Sequence, residues 1–302
     1  MEFRNLDQNK AFIKKEAARL GISARAAYST YYSRMLLERL SKINYGELVV
    51  KGSFSQFVHL NELSRPVLDI DLSSEKEHSL PINLLYRAIY ESEDEVVSFD
   101  VQTPPRQTKN GVYKIPVYAK IQYPGDNKKI IIPVPVDYKD KNNVIFETQL
   151  KSVEPLFEGE NKFFINVPSF EEHIAEKLYI IAHCRREDIL NTRVKDFYDI
   201  YELHGQKYDG DKFALYFQMM ILMYGEDFTK LSTEYLNREF VKRHEVLWEK
   251  MKNKYEFADK ELELGEAVYY TRAVLSEQIQ KIKENKFTDQ AIRLVREKKK
   301  NI

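Results

Sequence analysis

The sequence predicts an α+β protein, with a mixed sheet flanked by helices over residues 1–165 and an all-helical domain over residues 166–302. Two observations lead to this prediction. Before residue 140, short β-branched and aromatic runs alternate with turn signals. After residue 165, apolar residues recur at helical spacing. The chain has 302 residues, 43% of them hydrophobic, which suffices for one large domain or two ordinary ones.

Two helices are predicted at the start of the chain, at residues 6–20 and 23–43, with Gly21 between them. The second carries an apolar stripe at helical spacing. Both helices are rich in basic residues, namely Lys10, Lys14, Lys15, Arg19, Arg25, Arg34, Arg39 and Lys42. A solvated helix face is the simpler interpretation of these charges, and a surface that faces RNA is the alternative.

The most informative stretch follows these helices. A short strand at residues 47–50 enters a turn at 51–53, a short helix follows, and a second strand then carries Asp69 and Asp71. Side chains in a strand repeat every second residue, so both aspartates point to the same face. Neighbouring carboxylates repel each other unless a cation lies between them. Oxygen ligands of this type suit Mg²⁺, which also takes the phosphate oxygens of a substrate.

The residues of the turn fit a phosphate. Gly52 lets the backbone approach a ligand closely, and Ser53 offers a hydroxyl and an N–H near the start of a helix. Lys51 precedes them, and Arg65 flanks the aspartate strand. A D-x-D pattern alone more often marks an exposed strand end, but the adjacent turn favours a site for a metal-bound triphosphate.

A helix at residues 80–90 and three β-like runs at 96–102, 112–123 and 129–138 are predicted next. Turn signals separate the runs, which indicates a mostly antiparallel ribbon that continues the first sheet. The last run contains Asp137. If its strand lies beside the aspartate strand, Asp137 completes a carboxylate triad. The prolines of this run cannot donate ladder hydrogen bonds, which favours an edge or irregular strand.

The second half is predicted to be helical throughout. Ser169 can cap a helix with acidic residues in its first turn, and Gly205 can end the next one. Further helices are expected at about 211–224, 233–254, 259–284 and 288–299.

Charged residues on the first two of these helices have two interpretations. Lys177 is either an ordinary surface lysine or a point charge for a triphosphate. Asp196 and Asp199 share one helix face, and Lys195 lies four residues before Asp199. An ordinary ion pair at this spacing is the simpler reading of the second helix.

Composition excludes several classes of protein. Lys+Arg and Asp+Glu both number 47, so overall charge gives no indication of nucleic-acid binding. The single cysteine, Cys184, excludes an intramolecular disulfide and a cysteine-based zinc site, and its apolar surroundings predict a core residue. We see no secretory signal, and the longest apolar run, residues 213–224, is too short to span a bilayer. The cytoplasm is the expected compartment.

Four motifs occur in order: K-G-S followed by R-P-V-L-D-I-D, a later strand aspartate in P-V-D, A-E-K-L, and R-V-K-D-F-Y-D. Together they resemble the AbiEii-type nucleotidyltransferase toxins, which include the MenT toxins and belong to the DNA polymerase β-like superfamily. The resemblance covers roughly residues 40–205 and extends more loosely to the segment around Trp248.

The resemblance implies a polymerase-β-like nucleotidyltransferase domain followed by a helical domain that binds the acceptor. Mg²⁺, or Mn²⁺ in its place, would be held by Asp69, Asp71 and Asp137. The nucleotide would be held by Lys51, Gly52, Ser53, Arg65, Lys177, Arg193 and Lys195. Catalysis would depend on Asp69, Asp71, Asp137 and Lys177, with Asp196 or Asp199 as a further essential acid.

The resemblance also implies an activity. The enzyme would transfer NMP from an NTP to RNA, with the tRNA 3′ end as the preferred acceptor, and release pyrophosphate. It would be the monomeric toxin of a toxin–antitoxin pair tied to abortive phage infection, restrained by a cognate antitoxin that need not bind it directly. Two alternatives stay open: modification of a protein hydroxyl, as in AMPylation, and a nucleotide-binding regulator without catalysis.

Overall fold

A computed structural model of the chain divides into two compact units, Met1–Pro168 and Ser169–Ile302. Within the described residues, every strand lies in the first unit and the second unit is all-helical, which confirms the α+β class. The described residues are 3–43, 46–74, 79–91, 96–109, 111–139, 146–183, 187–225, 231–285 and 288–300. No helix among them is long and apolar enough to cross a bilayer.

The first unit contains three sheets and four helices within its described residues. Its elements in chain order are α1 (Leu6–Leu20), α2 (Ala24–Ser41), β1 (Val49–Lys51), α3 (Gly52–Leu60), β2 (Ile70–Ser73), α4 (Ser79–Tyr90), β3 (Val97–Val101), β4 (Arg106–Gln107), β5 (Tyr113–Ile115), β6 (Val117–Ile121), β7 (Ile130–Pro133), β8 (Val136–Lys139), β9 (Thr148–Val153) and β10 (Phe163–Pro168).

The break between the first two helices follows from their caps. The Asn5 side chain accepts a hydrogen bond from the backbone N–H of Gln8 at the start of α1. Gly21 ends that helix at φ 69°, a left-handed conformation that glycine adopts without strain. The Ser23 hydroxyl then accepts from the backbone N–H of Ala26 and starts α2.

Most of the basic residues on α1 and α2 have partners inside the first unit. Five of them lie within ion-pair distance of a carboxylate: Lys10 of Asp7, Lys15 of Glu158, Arg19 of Glu16, Arg34 of Glu160 and Lys42 of Glu38. Arg39 donates to the carbonyl oxygen of Val97 at 2.7 Å. Six of the eight basic residues thus have a partner within the first unit, and Arg34, being buried, does not lie on a solvated face.

Arg34 is the most deeply placed of these cations. Its side chain is 2% exposed, and its Nε lies 2.8 Å from a carboxylate oxygen of Glu160. The guanidinium also lies over the rings of Phe57 and Phe163 and donates to the carbonyl oxygen of Glu154. It therefore ties α2 to α3, to β10 and to the loop that connects β9 with β10.

The strands assemble differently from the single ribbon that the sequence predicted. The five-stranded sheet has the order β1-β2-β8-β5-β4, a second sheet has the order β3-β6-β7, and β9 pairs with β10. In the first sheet β2 and β8 are parallel, while the other neighbours are antiparallel. The prediction is right for β5 and β8, which join the first sheet, and wrong for β3, β6 and β7. The β9–β10 hairpin was not predicted.

Prolines explain why two of the predicted β-like runs are each divided between two sheets. The run at 112–123 contains Pro116 between β5 and β6. The run at 129–138 contains Pro133 as the last residue of β7 and Pro135 between β7 and β8. A proline cannot donate a ladder hydrogen bond, so each run leaves one sheet at its proline and enters the other. At the switch, the N–H of Val134 donates to Val117 in the second sheet, and Pro135 accepts from the N–H of Ile70.

The second unit contains six helices within its described residues. They are α5 (Phe170–His183), α6 (Glu187–Tyr201), α7 (Gly210–Tyr224), α8 (Arg238–Tyr255), α9 (Leu264–Asn285) and α10 (Asp289–Lys300). α8 begins five residues later than predicted because the Asn237 side chain caps it. Trp248 is buried against the rings of Tyr198 and Phe257. Cys184, which the sequence predicted to be a core residue, lies outside the described residues.

Replacing the buried guanidinium should destabilise the first unit strongly. We expect Arg34→Met to lower the free energy of unfolding by about 3–5 kcal/mol, because it leaves the Glu160 carboxylate without its buried partner. Urea denaturation measures the change. Arg87→Met is the control, since Arg87 pairs with Glu91 on an exposed helix face and should cost less than about 1 kcal/mol. Equal losses in the two variants would contradict the role given to Arg34.

Candidate active site

Five charged side chains lie in one row across the first sheet, and we call this row the charged rung. Lys51 on β1 is the register partner of Asp71 on β2, and Asp71 is the partner of Asp137 on β8. Asp137 is in turn the partner of Lys114 on β5, and Lys114 of Arg106 on β4. Register partners on neighbouring strands point to the same face. Two adjacent carboxylates are therefore flanked by cations on both sides.

The opposite face of the same strands explains this orientation. Ile70 and Leu72 on β2 are buried in the core of the first unit, as are Val136 and Tyr138 on β8. Because side chains alternate along a strand, the intervening aspartates must point away from that core. The sequence predicted a carboxylate triad only if the strand of Asp137 lies beside the strand of Asp71. The two strands are indeed neighbours.

Lys114 is a member of the charged rung that the sequence did not indicate. Its Nζ lies 2.7 Å from Oδ2 of Asp137. The hydrogen bond to Asp137 raises the pKa of Lys114, and the charges of Asp137, Asp69 and Asp71 add to this against the opposing effect of burial. Lys114 therefore contacts Asp137 directly and feels the charges of Asp69 and Asp71 at longer range. The three-residue strand of Lys114 carries no motif, and only the strand order places it here.

Gly52 is packed against a carboxylate of the rung. It has φ +63° and begins α3. A Cβ atom built on it would lie 1.8 Å from Oδ2 of Asp71 and 2.8 Å from its Cγ, so no larger residue fits. The sequence predicted that this glycine lets a ligand approach. The structure shows that Asp71 makes the close approach, beside the positive end of a helix.

The first turn of α3 also contains buried hydroxyls. Ser53 and Ser55 are buried, and their Oγ atoms have no hydrogen-bond partner among the described residues. A buried hydroxyl without a partner typically costs about 1–3 kcal/mol. Such a group near a helix N-terminus suits an anion as its missing partner.

The other predicted nucleotide ligands of the first unit are buried as well. Lys51 and Arg65 are both less than a tenth exposed, which is unusual for these residue types. The segment that leads into Asp69 is anchored from α2, because the hydroxyl of Thr30 accepts from the backbone N–H of Val67 at 3.1 Å.

The three aspartates fit a divalent cation by chemistry but are not assembled around one. Carboxylate oxygens are the ligands that Mg²⁺ prefers. Across the described ranges, however, no group of three His, Cys, Asp or Glu side chains is positioned to hold a metal ion. Oδ2 of Asp137 is instead bonded to Lys114. In this structure the ammonium group of Lys114 is the ion-pair partner of Asp137.

The second unit holds a separate charged cluster. Nζ of Lys177 on α5 lies 2.6 Å from Oδ2 of Asp199 and 3.7 Å from Oδ1 of Asp196, both on α6. The Lys177 side chain is 10% exposed and that of Asp199 is 0% exposed, so Lys177 is not the ordinary surface lysine of the simpler reading. Of the two candidate acids, Asp199 makes the shorter contact.

The remaining two predicted residues of α6 differ in their surroundings. Nη1 of Arg193 lies 3.5 Å from Oδ2 of Asp196, at the edge of the same cluster. The ammonium group of Lys195 lies 5.0 Å from the ring centroid of Tyr255 on α8. Arg193 therefore extends the cluster, whereas Lys195 contacts an aromatic ring of another helix.

The model of one protein family matches residues 35–284 and is described as the nucleotidyl transferase AbiEii toxin of type IV toxin–antitoxin systems. The chain belongs to the AbiEii nucleotidyltransferase toxin family. It is accordingly a nucleotidyltransferase, with an NTP as substrate and an antitoxin as partner. The resemblance seen in the sequence motifs is confirmed, and the match extends through most of the helical unit.

A search of solved structures also returned similar chains. JHP933 from Helicobacter pylori has a TM-score of 0.49 and 15% identity, covering 90% of this chain and 99% of its own. A structure described as a nucleotidyltransferase from H. pylori has a TM-score of 0.48 and 16% identity, covering 87% of this chain and 98% of its own. An antigenic nucleotidyltransferase-like protein from Paracoccidioides brasiliensis has a TM-score of 0.37 and 11% identity, covering 66% of this chain and 87% of its own. No curated protein matched the chain. The family assignment rests on the family model.

A methyl group at Gly52 should disrupt the carboxylate beside it. We expect Gly52→Ala to abolish nucleotidyl transfer and to lower the free energy of unfolding by about 2–4 kcal/mol, since clash adds to backbone strain. Gly125→Ala is the matched control. Gly125 has φ +83° with nothing within 4 Å of its added Cβ, so it reports strain alone, about 1 kcal/mol. Equal stability and activity in the two variants would contradict the packing role.

The buried pair of the second unit should show strong coupling. We expect Lys177→Met and Asp199→Asn each to cost about 3–5 kcal/mol of stability, because each leaves a buried partner uncompensated. The double variant should cost clearly less than the sum of the single changes, measured by urea denaturation as a double-mutant cycle. Asp196→Asn should couple to Lys177 more weakly, given its longer contact. Additive losses for Lys177 and Asp199 would contradict the pair.

Proposed function

We propose that the protein transfers a nucleoside monophosphate from an NTP to the 3′-hydroxyl of tRNA and thereby blocks translation. The observation that carries the proposal is the pairing of Asp71 with Asp137 beside the Gly52 turn. Enzymatic phosphoryl transfer depends on positioning and on neutralising charge. Adjacent carboxylates next to a helix N-terminus supply the two kinds of group that this chemistry uses, cation ligands and anion-binding N–H groups.

Asp69, Asp71 and Asp137 would hold Mg²⁺ or Mn²⁺, which would neutralise the triphosphate and bring it to the acceptor. Ser53 and the backbone of α3 would contact phosphate oxygens, with Lys51 and Arg65 nearby in sequence and equally buried. Asp137 would accept the proton of the attacking hydroxyl. The acceptor oxygen would form a bond to the α-phosphorus, and the bond to pyrophosphate would break.

Roles for the second unit are also proposals. Residues 166–302 would bind the acceptor, and Lys177 would contact the triphosphate. Its contact with Asp199 favours Asp199 as the further essential acid, since that carboxylate orients the ammonium group. Arg193 and Lys195 would add positive charge for the nucleotide. The protein would act in the cytoplasm as a monomer during abortive phage infection, under an antitoxin that need not bind it.

Transfer can be tested with four NTPs, each labelled at the α-phosphate, incubated with total tRNA and with total cellular protein. We expect label at the 3′ end of tRNA, and no label in tRNA whose terminal diol has been oxidised by periodate. Asp71→Asn should lower transfer at least about a hundredfold, because it removes a charge from the cation site. Asp100→Asn, which alters an aspartate paired with Lys120 in the second sheet, should leave transfer unchanged.

Other outcomes favour the two alternatives. Label in protein alone would replace tRNA by a protein hydroxyl as acceptor. Full growth inhibition by an Asp71→Asn variant that has lost transfer would indicate a regulator that acts through binding alone.

A further inference from the structure

Lys114 occupies a position that the nucleotidyl-transfer chemistry described above does not use. It lies directly opposite Asp137 in the antiparallel register of β5 and β8, and its Nζ is 2.7 Å from Oδ2 of that residue. The side chain is 60% exposed, whereas that of Asp137 is 24% exposed. A flexible cation that reaches in from solvent therefore holds an oxygen of a proposed metal ligand.

An ammonium group and a divalent cation cannot share this oxygen without strong repulsion. Mg²⁺ binds carboxylate oxygens at about 2.0–2.1 Å, so an ion on Asp137 would lie within a few ångströms of Nζ in its present position. Like charges at about 4–6 Å already disfavour each other markedly. Either the ion is held off, or the ammonium group moves away.

The side chain of Lys114 is able to move. It has a four-carbon stem, a point charge and no fixed fork of donors, and most of its surface is in solvent. The carboxylates, in contrast, are fixed by strand register and by the packing of Gly52 against Asp71. When a divalent cation binds, the ammonium group of Lys114 therefore moves away while the carboxylates stay in place.

We propose that Lys114 is the resident counter-ion of the three aspartates and that a divalent cation enters this site only in exchange for its ammonium group. The proposal rests on the proposed metal role of Asp69, Asp71 and Asp137. The exchange weakens metal binding in the absence of nucleotide and keeps the carboxylates neutralised until the ion arrives. It also explains why these aspartates are not arranged around a cation among the described residues.

The test measures metal binding rather than catalysis. Mn²⁺ is titrated into nucleotide-free, full-length protein, and free Mn²⁺ is followed by electron paramagnetic resonance. Lys114→Met, which keeps the length of the side chain and removes its charge, should bind Mn²⁺ about two- to fivefold more tightly than the unaltered protein. Its melting temperature without metal should fall, and the rise on adding Mn²⁺ should be larger. Asp71→Asn introduced into Lys114→Met should abolish the gain.

Two variants serve as controls. Lys114→Arg keeps the charge and should bind Mn²⁺ like the unaltered protein. Lys120→Met removes a lysine that pairs with Asp100 across strands of the second sheet, and it should leave Mn²⁺ binding unchanged.

The failures of the two proposals are distinguishable. Equal or weaker Mn²⁺ binding by Lys114→Met, with clear binding by the unaltered protein, would overturn the counter-ion role and leave the metal site intact. Absence of Mn²⁺ binding in both proteins would overturn the counter-ion role together with the metal role of the aspartates.

Discussion

The mutual repulsion of Asp71 and Asp137 is the constraint on which the first unit depends. Parallel pairing of their strands places the two carboxylates side by side, and each remaining member of the charged rung reduces the cost of that placement. Lys114 bonds to one of them, and the start of α3 is packed against the other. The sheet thus concentrates like charge on one face and compensates it locally.

Two features of the first sheet fix the position of Asp71 and Asp137: one face is apolar, and prolines interrupt the strands. The buried residues on β2 and β8 leave the aspartates no alternative to the opposite face, because a shift of register by one residue would exchange the two sets. The chain moves between the two sheets where the hydrogen-bond ladders end, at Pro116, Pro133 and Pro135. These prolines thereby bring β8 next to β2 and β5 next to β8, and with these strands two members of the charged rung.

Sequence patterns predicted what depends on local chemistry. Apolar periodicity and the break at Gly21 predicted the first two helices, and the D-x-D spacing gave the correct face for Asp71. Features set by strand order were beyond such patterns: Asp137 was placed only conditionally and Lys114 was missed, since a three-residue strand does not reveal its neighbours. Lys177 shows a third kind of limit. Residue type alone favours the surface for lysine, whereas an ion pair with Asp199 on another helix makes its burial possible.

The parallel pairing of β2 with β8 also determines when the carboxylate pair can come into existence. The elements α4 and β3 to β7 lie between the two strands along the chain, so the contact is strongly non-local. Because closing this long loop costs entropy, we expect the two strands to pair late in folding. A chain emerging from the ribosome carries Asp71 long before Asp137 is available to join it. Synthesis of this toxin therefore includes an interval in which the partly made chain contains the residues of the Gly52 turn but no complete carboxylate pair.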